Sequence, residues 1–105
     1  MGKASRVKGA AGEREVAAIF QDAGFDVNRV PNSGGLRLKG DLWGENLPVH
    51  VETKRAERWA LPEWLAQAEA ECGDKIPLVA FRRNKGRWYA CLPLTDFIDF
   101  LRGTP

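Results

Sequence analysis

The sequence predicts an α/β fold in which a mixed central β-sheet carries helices on its faces. Three patterns support this prediction. Apolar residues recur at helical spacing between Ala10 and Ala23, the valine-rich segment Leu47–Lys54 is typical of a strand, and a second helical segment, Pro62–Cys72, lies between strand patterns. With the remaining elements, the predicted order is αβββαββα.

We expect one domain spanning residues 1–105, because a chain of this length has no room for a second hydrophobic core. Residues 1–9 are basic and are predicted to form a flexible arm. The first helix then runs to Ala23, and Gly24 ends it. Phe25–Val30 alternates as a strand does, and the Gly-rich segment 31–35 is predicted to be a loop.

The second half of the pattern begins with a hairpin, in which strands Asp41–Trp43 and Leu47–Lys54 flank a turn at residues 44–46. Pro62 suits the first position of the second helix. Two further strands, Pro77–Arg82 and Arg87–Leu92, surround a basic turn, and Thr95 is predicted to cap a final short helix.

Composition limits the classes of function. The net charge is only +2, the two cysteines lack metal-ligand spacing, and no apolar run is as long as a membrane span. No zinc-finger spacing, phosphate-binding loop or nucleophilic triad is evident. We expect a protein of the cytoplasm (the host cytoplasm if it is viral) with no membrane partner.

The strand Val49–Lys54 carries candidate catalytic and metal-binding residues. Alternation directs Glu52 and Lys54 to the face opposite the valines, and the hairpin places Asp41 across from positions 50 to 52. Two adjacent carboxylates favour a hard divalent cation such as Mg²⁺, for which Mn²⁺ is expected to substitute. The Thr53 carbonyl is a further candidate ligand, and Lys54 could orient or deprotonate the attacking water. The alternative is a charged network on a solvated sheet face.

A resemblance to a known family narrows this choice. Gly40-Asp41 followed by Val51-Glu52-Thr53-Lys54 resembles the core of the PD-(D/E)XK nuclease superfamily, with glycine in place of the usual proline. Further segments resemble, in order, archaeal-type Holliday junction resolvases, a type that also occurs in phages: Lys8–Glu15, Gly24–Arg29, Ser33 and Ile76–Arg82. The resemblance implies a restriction-endonuclease-like fold and Mg²⁺-dependent cleavage of branched DNA, four-way junctions in particular, by a homodimer.

The resemblance also implies roles for individual residues. Glu13 would complete the metal site from the first helix, although the helical period alone does not choose between Glu13 and Glu15. Ser33 would lie near the scissile phosphate, unless it is an ordinary turn hydroxyl. The basic residues that match DNA contacts in the family, or that lie near the catalytic strands in sequence, are Arg14, Arg29, Arg37, Lys39, Arg55 and Arg82.

The roles of two side chains, Gln67 and His50, stay open at this stage. Gln67 lies on a helix that resembles the glutamine-containing helix of some phage and repair nucleases, but it could equally be a surface glutamine. His50 shares a face with Glu52, and we interpret it as structural. Three functions remain in competition: a junction resolvase, a nuclease for flaps, nicks or single strands, and a non-catalytic DNA-binding module.

Overall fold

The protein is described by a computed structural model covering residues 3–30 and 40–103, with side chains from residue 9 onward. The order αβββαββα is confirmed. The elements are α1 (Lys3–Asp22), β1 (Asn28–Arg29), β2 (Leu42–Trp43), β3 (Val49–Arg55), α2 (Leu61–Glu71), β4 (Ile76–Arg82), β5 (Tyr89–Cys91) and α3 (Leu94–Leu101).

The five strands form one mixed sheet in chain order. β1, β2 and β3 pair antiparallel, β4 lies parallel to β3, and β5 pairs antiparallel with β4. The parallel pair is joined through α2, as a parallel connection requires a crossover. β3 therefore lies at the centre of the sheet, and this position buries Val49 to Glu52 without interruption.

Each face of the sheet has its own apolar core. On one face, Val16 and Ala17 of α1 pack against Val49 and Val51 of β3. On the other face, α2 contributes Ala68, which packs with Val79 and Phe81 of β4 and with Trp59 and Trp64. The tryptophans lie 4.8 and 6.4 Å from the ring of Phe81, so both are used in packing. Side chains at even positions of β3 thus face α2.

Several boundaries differ from prediction, and the largest difference concerns the arm. α1 begins at Lys3, so the flexible arm predicted for residues 1–9 is wrong from residue 3 onward. Residues 3–8 contain neither proline nor glycine, and their helix propensity is sufficient to extend the helix.

The outer strands are shorter than predicted. β1 is limited to Asn28–Arg29 because its partner β2 has only two residues, and β5 pairs only with the later part of β4. Thr95 is not the cap of α3: the helix starts at Leu94, with Pro93 before it, and its first backbone bond runs from Phe97 to the Pro93 carbonyl.

Glu15 links α1 to the sheet. Its carboxylate accepts hydrogen bonds from Arg55 at 3.3 Å and Trp88 at 3.1 Å, and Arg82 lies 3.3 Å away. The three partners come from β3, β4 and the segment before β5. A single side chain therefore joins α1 to three segments of the chain.

We expect Glu15→Ala to lower the free energy of unfolding by about 2–3 kcal/mol, because it leaves two partly buried arginines without their counter-charge. Urea denaturation followed by circular dichroism measures this change. Glu63→Ala, at an exposed position of α2, is the control and should change stability by less than about 0.5 kcal/mol. Equal effects of the two substitutions would show that Glu15 does not secure α1.

Candidate active site

Asp41 is held against β3 immediately before β2. Its amide donates to the Val51 carbonyl at 2.9 Å, and its carboxylate accepts from the amide and the hydroxyl of Thr53 at 2.6 and 3.1 Å. Leu42 pairs with Val51 in the ladder. The hairpin geometry predicted from the sequence is therefore present, and it orients the Asp41 carboxylate toward the middle of β3.

Glu52 is 3% exposed on the adjoining position of β3. Burial raises the pKa of its carboxyl group to about 8, with further contributions from the charge of Asp41 and a hydrogen bond with Glu71. The two carboxylates thus lie close enough to repel each other, as the sequence predicted. A proton or a cation stabilises such an arrangement.

Lys54 lies two positions beyond Glu52 on the same face of β3. Its Nζ atom is 3.5 Å from the amide oxygen of Gln67, which α2 brings over this face. Gln67 is therefore placed at the site rather than on a remote surface.

Glu13 and Glu15 have different environments, although they are two residues apart. Glu13 pairs with Arg29 at 3.0 Å, and Glu15 faces Arg55 and Arg82. Burial raises the pKa of Glu13, Arg29 opposes this shift, and the charge of Asp41 adds to it. Glu13 thus senses the charge of Asp41, whereas Glu15 is engaged with Arg55 and Arg82.

Two residues of the site were not selected from the sequence. His50 Nε2 lies 2.7 Å from a carboxylate oxygen of Glu52, and ligand atoms of His50, Glu52 and Glu71 all lie within 4.8 Å of one another. Sequence spacing offered one signal for Glu71, which is four positions after Gln67 and hence on the same helical face. Nothing in the sequence indicated that this face meets His50.

Gly40 explains why the usual proline of the motif is absent. Its backbone has φ of +86°, whereas proline is restricted to about −65°. A Cβ at this position would lie 2.9 Å from Cε1 of His50 and 3.1 Å from the Val51 carbonyl. The close approach of the His50 ring and the left-handed backbone both require glycine here.

The predicted DNA-contacting residues divide into three groups. Arg14 is exposed and lines an open groove together with Arg29. Arg55 and Arg82 are instead engaged with Glu15. Arg37 and Lys39 lie in residues 31–39, outside the described residues, as does Ser33, which was predicted as a catalytic residue.

The donor set suits a hard divalent cation. Asp41, Glu52 and Glu13 offer carboxylate oxygens from three different elements, and oxygen is the donor that Mg²⁺ prefers. Because a strand residue directs its amide and carbonyl toward the same neighbouring strand, the Thr53 carbonyl faces the side on which Asp41 lies. These residues fit a metal ion, with Thr53 as a predicted ligand.

The raised pKa of Glu52 has a consequence for stability without metal. The folded protein retains this proton up to about pH 8, whereas the unfolded chain loses it near pH 4.5, so raising the pH between these values favours unfolding. In EDTA, we expect the free energy of unfolding of the native chain to fall between about pH 5 and pH 8. Relative to Glu52→Gln, the fall should be on the order of a few kcal/mol.

Urea unfolding of both proteins across this range provides the measurement, with Glu63→Gln as an exposed control. A stability difference that does not vary with pH would contradict the shifted pKa.

Among the described residues, no helix combines the length and apolar character needed to cross a membrane. The structure resembles the Holliday junction resolvase Hjc of Archaeoglobus fulgidus, an archaeal hyperthermophile, with a TM-score of 0.56 and 17% identity, covering 80% of this chain and 76% of that chain. At this identity the similarity establishes the restriction-endonuclease-like fold. No curated protein sequence matches the chain significantly.

A family model described as "Phage putative PDDEXK endonuclease" matches residues 4–104, nearly the whole chain. The match includes the Asp41, Glu52 and Lys54 positions that resemble the core of that superfamily. The chain therefore belongs to this family of phage PDDEXK endonucleases.

Proposed function

We propose that this nuclease uses Mg²⁺ to hydrolyse phosphodiester bonds in branched DNA, and that four-way junctions are its substrate. The observation that carries the proposal is the arrangement of Asp41, Glu52, Lys54 and Glu13, which come from three separate segments of the chain. Asp41 is bonded to Thr53 of β3, Glu52 and Lys54 lie on β3 itself, and the charge of Asp41 acts on both Glu52 and Glu13. The fold shared with an archaeal Holliday junction resolvase supports the choice of substrate.

The chemistry follows from the positions of the side chains. A bound Mg²⁺ would supply Lewis-acid activation of the phosphate and lower the pKa of a coordinated water. Asp41 and Glu52 would hold the ion, and Glu13 would complete the set. Lys54, steadied by Gln67, would orient the attacking water against the scissile phosphate.

Glu13 must exchange partners in this scheme. In the structure, it is paired with Arg29. When Glu13 turns to the metal, the Arg29 guanidinium becomes available to a DNA phosphate beside exposed Arg14. Such contacts give affinity that depends on salt and on DNA shape, without reading the base sequence.

Two other functions compete with junction cleavage. A nuclease for flaps, nicks or single strands would use the same residues. A binding module without catalysis would have no use for a buried Glu52 next to Asp41, where ionisation of the second carboxyl group is costly, and this disfavours the module.

We expect the chain to cut a synthetic four-way junction with Mg²⁺ and to leave it intact in EDTA. Linear duplex of the same sequence should be cut at least about 100-fold more slowly. Gel assays with junction, duplex, flap and single-stranded DNA measure this preference. Equal rates on duplex and junction would exclude a resolvase, and a preference for flaps would support the second function.

Two kinds of variant test the assignment of roles in the same assay. Asp41→Asn should abolish both cleavage and the rise in melting temperature that Mg²⁺ produces. Lys54→Ala should slow cleavage by at least about 100-fold while retaining the Mg²⁺ shift. If Asp41→Asn matched the parent and neither cut any substrate, the binding module would be favoured.

The proposal includes a homodimer, which α3 supports. Within the described chain this helix buries none of its side chains, and it exposes Leu94 and Leu101 to 71% each, together with Phe97, Ile98 and Phe100. An exposed apolar helix face of this kind is a candidate for the interface with a second copy of the chain.

We expect the double variant Leu94→Glu, Leu101→Glu to be a monomer under conditions where the parent is a dimer, because charges would replace the apolar contact. Light scattering coupled to gel filtration measures the mass. Thr95→Glu, on another side of the same helix, is the matched control and should remain dimeric. A monomeric parent would contradict the dimer, and a dimeric double variant would place its interface elsewhere.

A further inference from the structure

We propose that His50, Glu52 and Glu71 form a second cation site, which binds a divalent transition-metal ion such as Zn²⁺ and shares Glu52 with the site at Asp41. The proposal adds to the proposed Mg²⁺-dependent cleavage and does not require it. It assigns His50 and Glu71 a role as metal ligands.

The three side chains already approach the spacing of ligands around one ion. Zinc bonds to nitrogen and carboxylate oxygen are about 2.0–2.2 Å long, so neighbouring ligand atoms in a tetrahedral site lie roughly 3.3 Å apart. His50 Nε2 and Glu52 Oε2 are 2.7 Å apart, and the Glu71 carboxylate lies within 4.8 Å of both. An ion would fit if the His50–Glu52 distance widened slightly and Glu71 changed its rotamer.

The position of His50 is set by the backbone of Gly40. A Cβ at residue 40 would lie 2.9 Å from Cε1 and 3.2 Å from Nδ1 of the imidazole. The ring is 5% exposed and rests against this glycine, with Nε2 directed at Glu52. The ring is thus oriented before an ion arrives, which lowers the entropic cost of binding.

The surrounding charges favour a cation. The carboxylates of Asp41 and Glu71 act on both Glu52 and His50, and the opposing positive charges are those of Lys54 and Lys75. A neutral imidazole would offer its Nε2 lone pair to the ion, and an ion bound at Glu52 would displace any proton there to solvent.

The ligand types select the class of ion. Imidazole nitrogen suits zinc and other first-row transition metals, whereas Mg²⁺ takes oxygen ligands. Three protein ligands leave one position for water or substrate, as in zinc sites that are not closed. Glu52 would bind this ion through the oxygen that faces His50, leaving its second oxygen for the ion at Asp41.

The full-length chain offers a direct probe, because His50 is its single histidine. Titration with Zn²⁺ after chelator removal, followed by ¹⁵N NMR of the imidazole, should shift Nε2 by direct coordination. Isothermal titration should give one tight site that persists with excess Mg²⁺. Asp41→Asn should retain this site, whereas His50→Gln and Glu71→Gln should each weaken Zn²⁺ binding at least about 10-fold.

Three controls keep the interpretation specific. Glu69→Gln, exposed on the same helix, should bind Zn²⁺ as the parent does. Cys72→Ser should also do so, which shows that the thiol next to Glu71 is not the ligand. Circular dichroism in EDTA establishes whether each variant is folded. If His50→Gln does not fold, Glu71→Gln, which changes a less buried residue, provides the test.

An unchanged imidazole spectrum, or unchanged Zn²⁺ affinity in Glu71→Gln, would overturn the proposal. Loss of the tight site in Asp41→Asn would also overturn it, since the ion would then belong to the site at Asp41. Junction cleavage with Mg²⁺ alone separates the two proposals: if cleavage persists without a Zn²⁺ site, only the second site is refuted.

Discussion

The burial of Glu52 on the central strand is the constraint around which this protein is organised. A carboxyl group with 3% exposure, next to a second carboxylate, is costly to ionise. The fold nevertheless places it there, because β3 has strands on both sides and helices on both faces. A proton relieves the repulsion without metal, and a divalent ion relieves it in a form that can act on phosphate. The same burial that opposes ionisation also strengthens the binding of a cation.

The first helix shows how neighbouring residues of one type acquire separate roles. Glu15 accepts from Arg55 and Trp88 and so secures α1 to the sheet. Glu13, two residues earlier, points toward Arg29 and experiences the charge of Asp41. Two glutamates of one helix therefore have different partners, one joining α1 to the sheet and the other lying against Arg29.

The exchange of proline for glycine at position 40 is connected to the histidine at position 50. Proline cannot adopt the left-handed backbone found at Gly40, and any Cβ there would collide with the His50 ring. The imidazole therefore occupies the space next to residue 40 and contacts the Glu52 carboxyl group. This departure from the usual motif changes which atoms surround Glu52, and it leaves the Asp41, Glu52 and Lys54 positions intact.

The sequence by itself determined the order of elements, the hairpin that brings Asp41 to β3, and the common face of Glu52 and Lys54. These features depend on local periodicity and on short-range turns, which the order of residues encodes directly. Only the tertiary structure paired Glu13 with Arg29, assigned Arg55 and Arg82 to Glu15, and brought Gln67 and Glu71 over the β3 face. Those outcomes depend on how α1 and α2 are rotated about their axes against the sheet, and the core packing of both faces sets that rotation. The two-residue length of β1 is likewise a tertiary outcome, since the end of a strand is decided by the partner strand that it meets.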